Sequence, residues 1–94
     1  MKGVISFRDE LKESLKDEKF KNAFEEEEIF ANLAIQIANE RKELGLSQKE
    51  IAEYFNTSQQ AISRLENKDY EGYTLKTLLK LAHVFKKKLE IKFI

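Results

Sequence analysis

The sequence predicts an all-α fold, apart from one short β-strand at its C-terminal end. Three observations support this prediction: proline is absent, glycine occurs only three times among 94 residues, and apolar residues recur at helical spacing. Because proline and glycine most often interrupt regular structure, their scarcity favours helices joined by short turns. Only the last residues, KLEIKFI, change to the alternation of apolar and charged residues that is typical of a strand.

The amino-acid composition excludes several classes of function. The absence of cysteine rules out disulfides, cysteine-ligated zinc and thiol catalysis. A single histidine argues against a metal site built from protein ligands alone. Since the chain also lacks a glycine-rich phosphate loop, we expect neither an enzyme nor a bound cofactor. The first residues lack a secretory signal, and no apolar run reaches the ~20 residues of a membrane span, so we expect a cytoplasmic protein.

Charge is distributed unevenly along a chain whose net charge is zero. Residues 1–28 carry nine acidic and six basic side chains, whereas residues 29–94 carry eight acidic and eleven basic ones. The acidic part of the chain can bind a basic partner, and the basic part can bind an acidic one.

The first 28 residues are predicted to form short amphipathic helices. Ser6 and Asp9 have the S-x-x-D spacing of a helix N-terminus, and Asp17 can begin a second segment. The apolar residues of these segments recur at helical spacing and are Phe7, Leu11, Leu15, Phe20, Ala23 and Phe24. The run Glu25–Glu28 interrupts this apolar pattern but not the helical propensity of the chain.

From Ile29 the apolar stripe of a helix resumes. Its inward stripe follows i, i+3, i+4, i+7 spacing and comprises Phe30, Leu33, Ala34, Ile37, Ala38, Arg41 and Leu44. Gly45 is placed to end this helix, with Leu46 available to pack back on it.

Two short helices are predicted next, separated by a turn at Asn56-Thr57. The residues SQKE, Ser47–Glu50, form a capping box, and Ser58 can cap the second helix. The residues predicted to be buried between the two helices are Ile51, Ala52, Phe55, Ile62 and Leu65. Because the side chain at position 52 is small, the helix axes can approach closely, as they do in a helix-turn-helix unit.

The last helix is predicted to begin after Thr74, following a loop at residues 67–72. Its buried side is predicted to comprise Leu75, Leu78, Leu79, Ala82 and Phe85. In the strand that follows, Leu89, Ile91 and Phe93 share one face. A lone strand cannot satisfy its own backbone groups, so it must pair with a second copy, another segment of the chain or a partner protein.

The outer side of the second short helix carries side chains suited to reading DNA. The predicted base-contact residues are Gln59, Gln60, Ser63 and Arg64. A glutamine amide both donates and accepts hydrogen bonds, so it can pair with N6 and N7 of adenine in the major groove. For Arg64, a salt bridge with Glu66 or Asp69 is the alternative to a contact with guanine or phosphate.

Phosphate contacts are predicted around these base contacts. The N-terminus of a helix presents free amides and the positive end of its dipole, which suits an anion. The predicted phosphate-contact residues are Ser47, Gln48, Ser58, Asn67 and Lys68.

The segment SQKEIAEYFNTSQQAISRLEN closely resembles the Xre-type helix-turn-helix of lambdoid phage repressors. The resemblance continues through DYEGYTLKTLLKLAHVF and KLEIKF, so that nearly the whole chain is similar to the HigA-like antitoxins of type II toxin–antitoxin pairs. It implies a lambda-repressor-like five-helix domain and a homodimer that binds double-stranded operator DNA and represses its own operon. It also implies that the protein neutralises a RelE/HigB-like mRNA-cleaving toxin by binding it.

The resemblance divides the chain into an N-terminal helical extension at residues 1–28, the DNA-binding domain at residues 29–88 and the C-terminal strand at residues 89–94. The predicted toxin-binding residues lie in the extension and are Phe7, Leu11, Leu15, Phe20, Phe24, Glu25 and Glu26. The alternatives are that these apolar residues fold back as additional core and that Glu25–Glu28 are a solvated helix face. In that case the protein is a stand-alone phage-like repressor with no toxin partner.

Overall fold

The computed structural model describes the backbone of residues 2–94 and the side chains of residues 13, 18, 19 and 21–94. It contains four helices: α1 (Lys2–Glu43), α2 (Gln48–Tyr54), α3 (Gln59–Leu65) and α4 (Leu75–Phe85). The molecule measures 64 × 23 × 20 Å. A mostly helical fold is therefore confirmed. None of the four helices combines the length and the apolar composition of a membrane span.

The prediction of separate N-terminal helices is wrong, because α1 is one continuous helix of 42 residues. The S-x-x-D signal at Ser6 and the acid at Asp17 lie inside it. No proline or glycine lies between Val4 and Leu44 that could interrupt the helix, and the four glutamates at 25–28 are good helix formers. The side chains of Phe7, Leu11, Leu15 and Phe20, predicted to bind a toxin, lie outside the described residues.

Burial changes along α1 near the predicted domain boundary. Every side chain from residue 21 to residue 29 is exposed. From Phe30 onward the helix contacts the rest of the chain, and Ala34 and Ile37 are buried. We refer to residues 2–28 of α1 as the N-terminal arm.

The hydrophobic core is small and lies where the C-terminal part of α1 meets the three short helices. Its buried cluster comprises Ile37, Ile51, Ala52, Ile62, Leu81 and Phe85. The prediction for α4 is wrong in part: Leu75 and Leu79 are 55% and 44% exposed, whereas Leu81 is 2% exposed. Since almost every residue from Leu78 to Phe85 is apolar, the spacing alone does not fix which side of α4 turns inward.

The turns follow the local signals in the sequence. Ser47 and Glu50 form the capping box, in which the Glu50 N–H donates to the Ser47 hydroxyl at 3.0 Å and the Ser47 N–H donates to the Glu50 carboxylate at 3.1 Å. Ser58 and Thr74 cap α3 and α4 through their hydroxyl groups alone, which accept from the N–H groups of Ala61 and Thr77. Gly45 ends α1 with φ of 71°, so the predicted C-terminal glycine is confirmed.

The predicted C-terminal strand and the fifth helix of the domain are not present among residues 2–94. After α4 ends at Phe85, the chain forms neither a helix nor a strand. A strand requires a neighbour for its backbone hydrogen bonds, and no segment of the described chain lies beside residues 88–94 as a strand.

Lys86→Gly is expected to raise the free energy of unfolding by about 0.5–1 kcal/mol. Lys86 ends α4 in the left-handed conformation, with φ of 56° and ψ of 39°. That conformation costs a residue with a Cβ atom about 1–2 kcal/mol, part of which is offset because glycine makes the unfolded chain more flexible. Urea denaturation measures the change. Lys88→Gly is the control, and an equal gain in both variants would contradict this explanation.

Candidate nucleic-acid interface

Helices α2 and α3 are held together at the crossing predicted from the sequence. Ile51, Ala52 and Ile62 are each at most 3% exposed, and they fill the space between the two helices. Asn56 makes the turn in the left-handed conformation, with φ of 56°. This geometry lets the Thr57 N–H donate to the Ala52 carbonyl at 2.9 Å and closes α2.

The side of α3 that faces away from the core is polar and exposed. Gln60, Ser63 and Asn67 recur at i, i+3, i+7 and therefore form a single stripe, although Asn67 lies just beyond the helix end. Gln59 and Arg64 flank this stripe and are also exposed. The structure thus brings the four predicted base-contact residues to one accessible surface that runs along α3 from its first turn to its last.

Arg64 makes no ion pair among the described residues. Glu66, one of its two predicted partners, binds Arg41 instead. Arg64 lies at one edge of α3, where it lines a cleft of about 370 Å³ together with Thr77 and Lys80 of α4. Its guanidinium therefore remains accessible to a phosphate or a base.

A largely buried ion pair joins α1 to the end of α3. Arg41 donates from Nε to Glu66 Oε2 at 2.7 Å and from Nη2 to Glu66 Oε1 at 3.0 Å, and the two side chains are only 11% and 7% exposed. Arg41 also donates from Nη1 to the Leu46 carbonyl at 2.8 Å. The hydrogen bonds to Glu66 raise the pKa of Arg41 above its ordinary value, although burial opposes them.

Gln48 is the third member of this network. Its side-chain amide donates to Glu66 Oε1 at 3.2 Å, which fixes the start of α2 against the end of α3. Sequence reasoning placed Arg41 in the inward stripe of α1 but found no partner for it. Glu66 could have been identified as the partner of Arg41, because it is a second charged residue on an inward side of the fold.

Ser47, Gln48 and Ser58 lie at the starts of the two short helices. The Ser47 hydroxyl and N–H both take part in the capping box, and the Ser58 hydroxyl accepts from the Ala61 N–H at 3.1 Å. Each hydroxyl keeps its own proton, and the Gln48 amide keeps a second N–H, as donors toward a phosphate. Their phosphate contacts stay predictions.

Asn67 and Lys68 lie in the loop that follows α3. The Asn67 side chain accepts from the Asp69 N–H at 2.9 Å, which shapes the loop. Lys68 is exposed and lines a small cleft with Asp69, Glu71 and, from the N-terminal arm, Glu27. The arm therefore leaves the core beside this loop, and it places its acidic run next to a predicted phosphate contact.

Aromatic packing holds the loop against α1. The Tyr73 ring stacks on Phe30 at 6.2 Å between centroids and meets Tyr70 edge-on at 4.9 Å. Its hydroxyl donates to the Leu65 carbonyl at the end of α3. Burial raises the pKa of Tyr73, with a smaller contribution from Tyr70. Tyr73 therefore packs against the core, and Tyr70 packs on Tyr73.

No group of His, Cys, Asp or Glu side chains within the described residues is arranged to hold a metal ion. A helix-turn-helix family model, the one for Xre-type domains, matches residues 37–92, which is more than half of the chain. The match begins in the last turns of α1 and includes α2, α3, α4 and the residues after α4 as far as position 92. Comparison with curated proteins and with solved structures gives no match.

Proposed function

The chain belongs to the Xre-type helix-turn-helix family of DNA-binding transcription regulators, and we propose that it is an antitoxin of that family. In this proposal it represses its own operon as a dimer, and it binds and neutralises a RelE/HigB-like toxin that cleaves mRNA. The family is regulatory rather than enzymatic.

The orientation of α3 is the main support for the DNA-binding part of the proposal. Ile62 anchors one side of the helix in the core, so Gln60 projects from the first turn on the opposite side, and Gln59 lies exposed beside it. The first turn of a recognition helix is the part that enters the major groove, and carboxamides there can read adenine. Arg64 and Lys68 add positive charge at the margin of the same surface.

Repression requires two copies of this surface. One helix of seven residues contacts too few base pairs to identify a site among the many competing sites of a genome. A two-fold dimer would bind two half-sites separated by about 34 Å, one turn of the duplex. We therefore propose a homodimer on a near-palindromic operator.

Toxin binding is proposed for the N-terminal arm. Phe24 is 66% exposed, and Glu25 and Glu26 beside it are exposed as well, so these residues are not additional core. An exposed apolar residue flanked by acids suits a partner that is itself basic because it binds RNA. Continuity of α1 supports the same role for the predicted apolar residues further along the arm.

A charge-reversed arm is expected to lose toxin neutralisation while it keeps operator binding. The variant combines Phe24→Ala, Glu25→Lys and Glu26→Lys, and all three side chains lie outside the core. Co-expression of the protein with the product of the neighbouring small gene, followed by co-purification, measures the complex. We expect at least about tenfold weaker retention of the partner, since an exposed aromatic anchor and two charges are removed.

The matched control is Gln60→Ala, which should weaken operator binding and leave growth protection intact. If the arm variant protects cells as well as the parent does, the arm is not the toxin-binding surface. If no basic, growth-inhibiting partner co-purifies with either protein, the stand-alone repressor is the better description.

A further inference from the structure

The C-terminal tail, residues 88–94, alternates apolar and charged side chains and has no backbone partner within the part of the chain that the structure describes. Ile91 is 62% exposed and Phe93 is fully exposed. The last backbone hydrogen bond along the described chain is donated by Lys87, and the backbone of residues 88–94 makes none. Unsatisfied backbone groups next to exposed apolar side chains favour pairing with another strand.

The tail begins in a groove on the body of the protein. Leu89 is half-buried there, beside Leu33 of α1 and Leu78 of α4, in a groove of about 190 Å³. An ion pair between Lys87 Nζ and Glu40 Oε1, at 3.4 Å, links the start of the tail to α1. The apolar face of the tail therefore starts against the protein and continues outward to Ile91 and Phe93.

We propose that this tail pairs in antiparallel fashion with the tail of a second copy, with Ile91 on the two-fold axis. The inference rests on the proposed homodimer and specifies its contact surface. In this register Glu90 of each copy lies opposite Lys92 of the other, so two ion pairs form. Leu89 lies opposite Phe93 twice, and Ile91 lies opposite itself.

Neighbouring registers lose this complementarity. An axis on Glu90 places Glu90 opposite itself and Lys88 opposite Lys92, so like charges face each other. An axis on Lys92 places Lys92 opposite itself. A shift by one residue puts apolar side chains opposite charged ones, on the wrong face of the ribbon.

The proposed pairing would exchange an ion pair that the single chain makes within its own tail. Glu90 Oε1 and Lys92 Nζ lie 2.8 Å apart within the tail, so the charges that the register requires are close together and exposed. Opposite Leu89, the Phe93 side chain of the second copy would reach the groove between α1 and α4. The ribbon would thereby cover apolar surface on both protomers and set the spacing of the two α3 helices.

The first test uses Ile91→Cys in the full chain, which otherwise contains no cysteine. Opposite residues of an antiparallel pair have Cα atoms ~4.5–5.5 Å apart, within the range that a disulfide spans. Mild oxidation should therefore convert most of the variant to a covalent dimer that still binds operator DNA. Phe93→Cys is the matched control, because its two copies would lie roughly 13 Å apart along the ribbon and should not cross-link.

The second test uses charge swaps. Glu90→Lys and Lys92→Glu should each weaken the homodimer about tenfold, since two attractive pairs become repulsive. An equimolar mixture of the two variants should regain the parental dimer, because every opposite pair is again of opposite charge. A purely intrachain role for these residues would not restore dimerisation on mixing.

Analytical ultracentrifugation and operator gel shifts separate the possible failures. A parent protein that dimerises and binds operator, with no cross-link at position 91 and no rescue on mixing, overturns the tail register alone. A parent that is monomeric on its operator, or does not bind it, overturns the proposed dimeric repressor itself. Circular dichroism of each variant checks that the helical fold is kept.

Discussion

Arg41→Met is expected to lower the free energy of unfolding by about 3 kcal/mol, the largest stability effect of any single substitution considered for this chain. The change leaves the Glu66 carboxylate, 7% exposed, without its bidentate partner. It also removes the donor to the Leu46 carbonyl, which lies in the turn between α1 and α2. Since small domains are stable by only about 5–15 kcal/mol, thermal or urea unfolding will show the loss clearly.

The double variant Arg41→Met/Glu66→Leu tests whether an unpaired charge is the cause. Removing both charges should recover most of the stability, because the desolvation cost of Glu66 disappears with its carboxylate. The Gln48 amide then loses its acceptor but is positioned to bind water. A double variant as unstable as Arg41→Met would show that packing around the arginine stem, rather than charge, is responsible.

Alanine at Gln59 or Gln60 is expected to weaken binding to the cognate operator by about 1–3 kcal/mol and to relax its base preference. Each carboxamide is exposed on the first turn of α3, so its loss leaves the fold intact and removes hydrogen bonds to base edges. A titration against a panel of operators with single base-pair changes measures both effects. Adenine-containing positions should lose most of their discrimination.

Lys68→Ala provides the contrast, because a phosphate contact carries no sequence information. The Lys68→Ala variant should bind every DNA sequence more weakly than the parent does, and by the same factor. The slope of the logarithm of the binding constant against the logarithm of salt concentration should become shallower by about one, since one fewer phosphate is neutralised. Glutamine variants that bind the operator panel as the parent does would place the DNA-reading surface elsewhere. A lysine variant with altered base preference would reverse the two assigned roles.

Local features of the fold could be predicted from the sequence because their causes are local. Ser47 and Glu50 are three residues apart and make the capping box they predict. Gly45 takes the left-handed conformation that ends α1, and Asn56 tolerates the same conformation in the following turn. The buried side of α2 and α3 was also predicted, since the Ile51-Ala52 pair and Ile62 lie among polar residues that leave little choice of face.

The remaining features depend on contacts between distant residues. Arg41 and Glu66 are 25 residues apart, so spacing gave no reason to pair them. In α4, Leu79 and Leu81 are equally apolar, and only the position of α1 decides that Leu81 turns inward. The length of α1 was missed because Ser6 and Asp17 are capping residues that a helix can also carry in its interior.

Because α1 is unbroken, it fixes the rotation of the N-terminal arm about the helix axis as well as its distance from the core. Each residue of a helix advances the azimuth by about 100°, so the direction in which Phe24 projects is determined relative to Phe30, roughly 9 Å along the axis. One residue inserted among Glu25–Glu28 would rotate anything docked on the arm by more than a quarter of a circle. Seven inserted residues, close to two turns, would move it away by roughly 10 Å and leave its phase almost unchanged. In the proposed function, the helix would thus set the direction from which the toxin approaches the duplex.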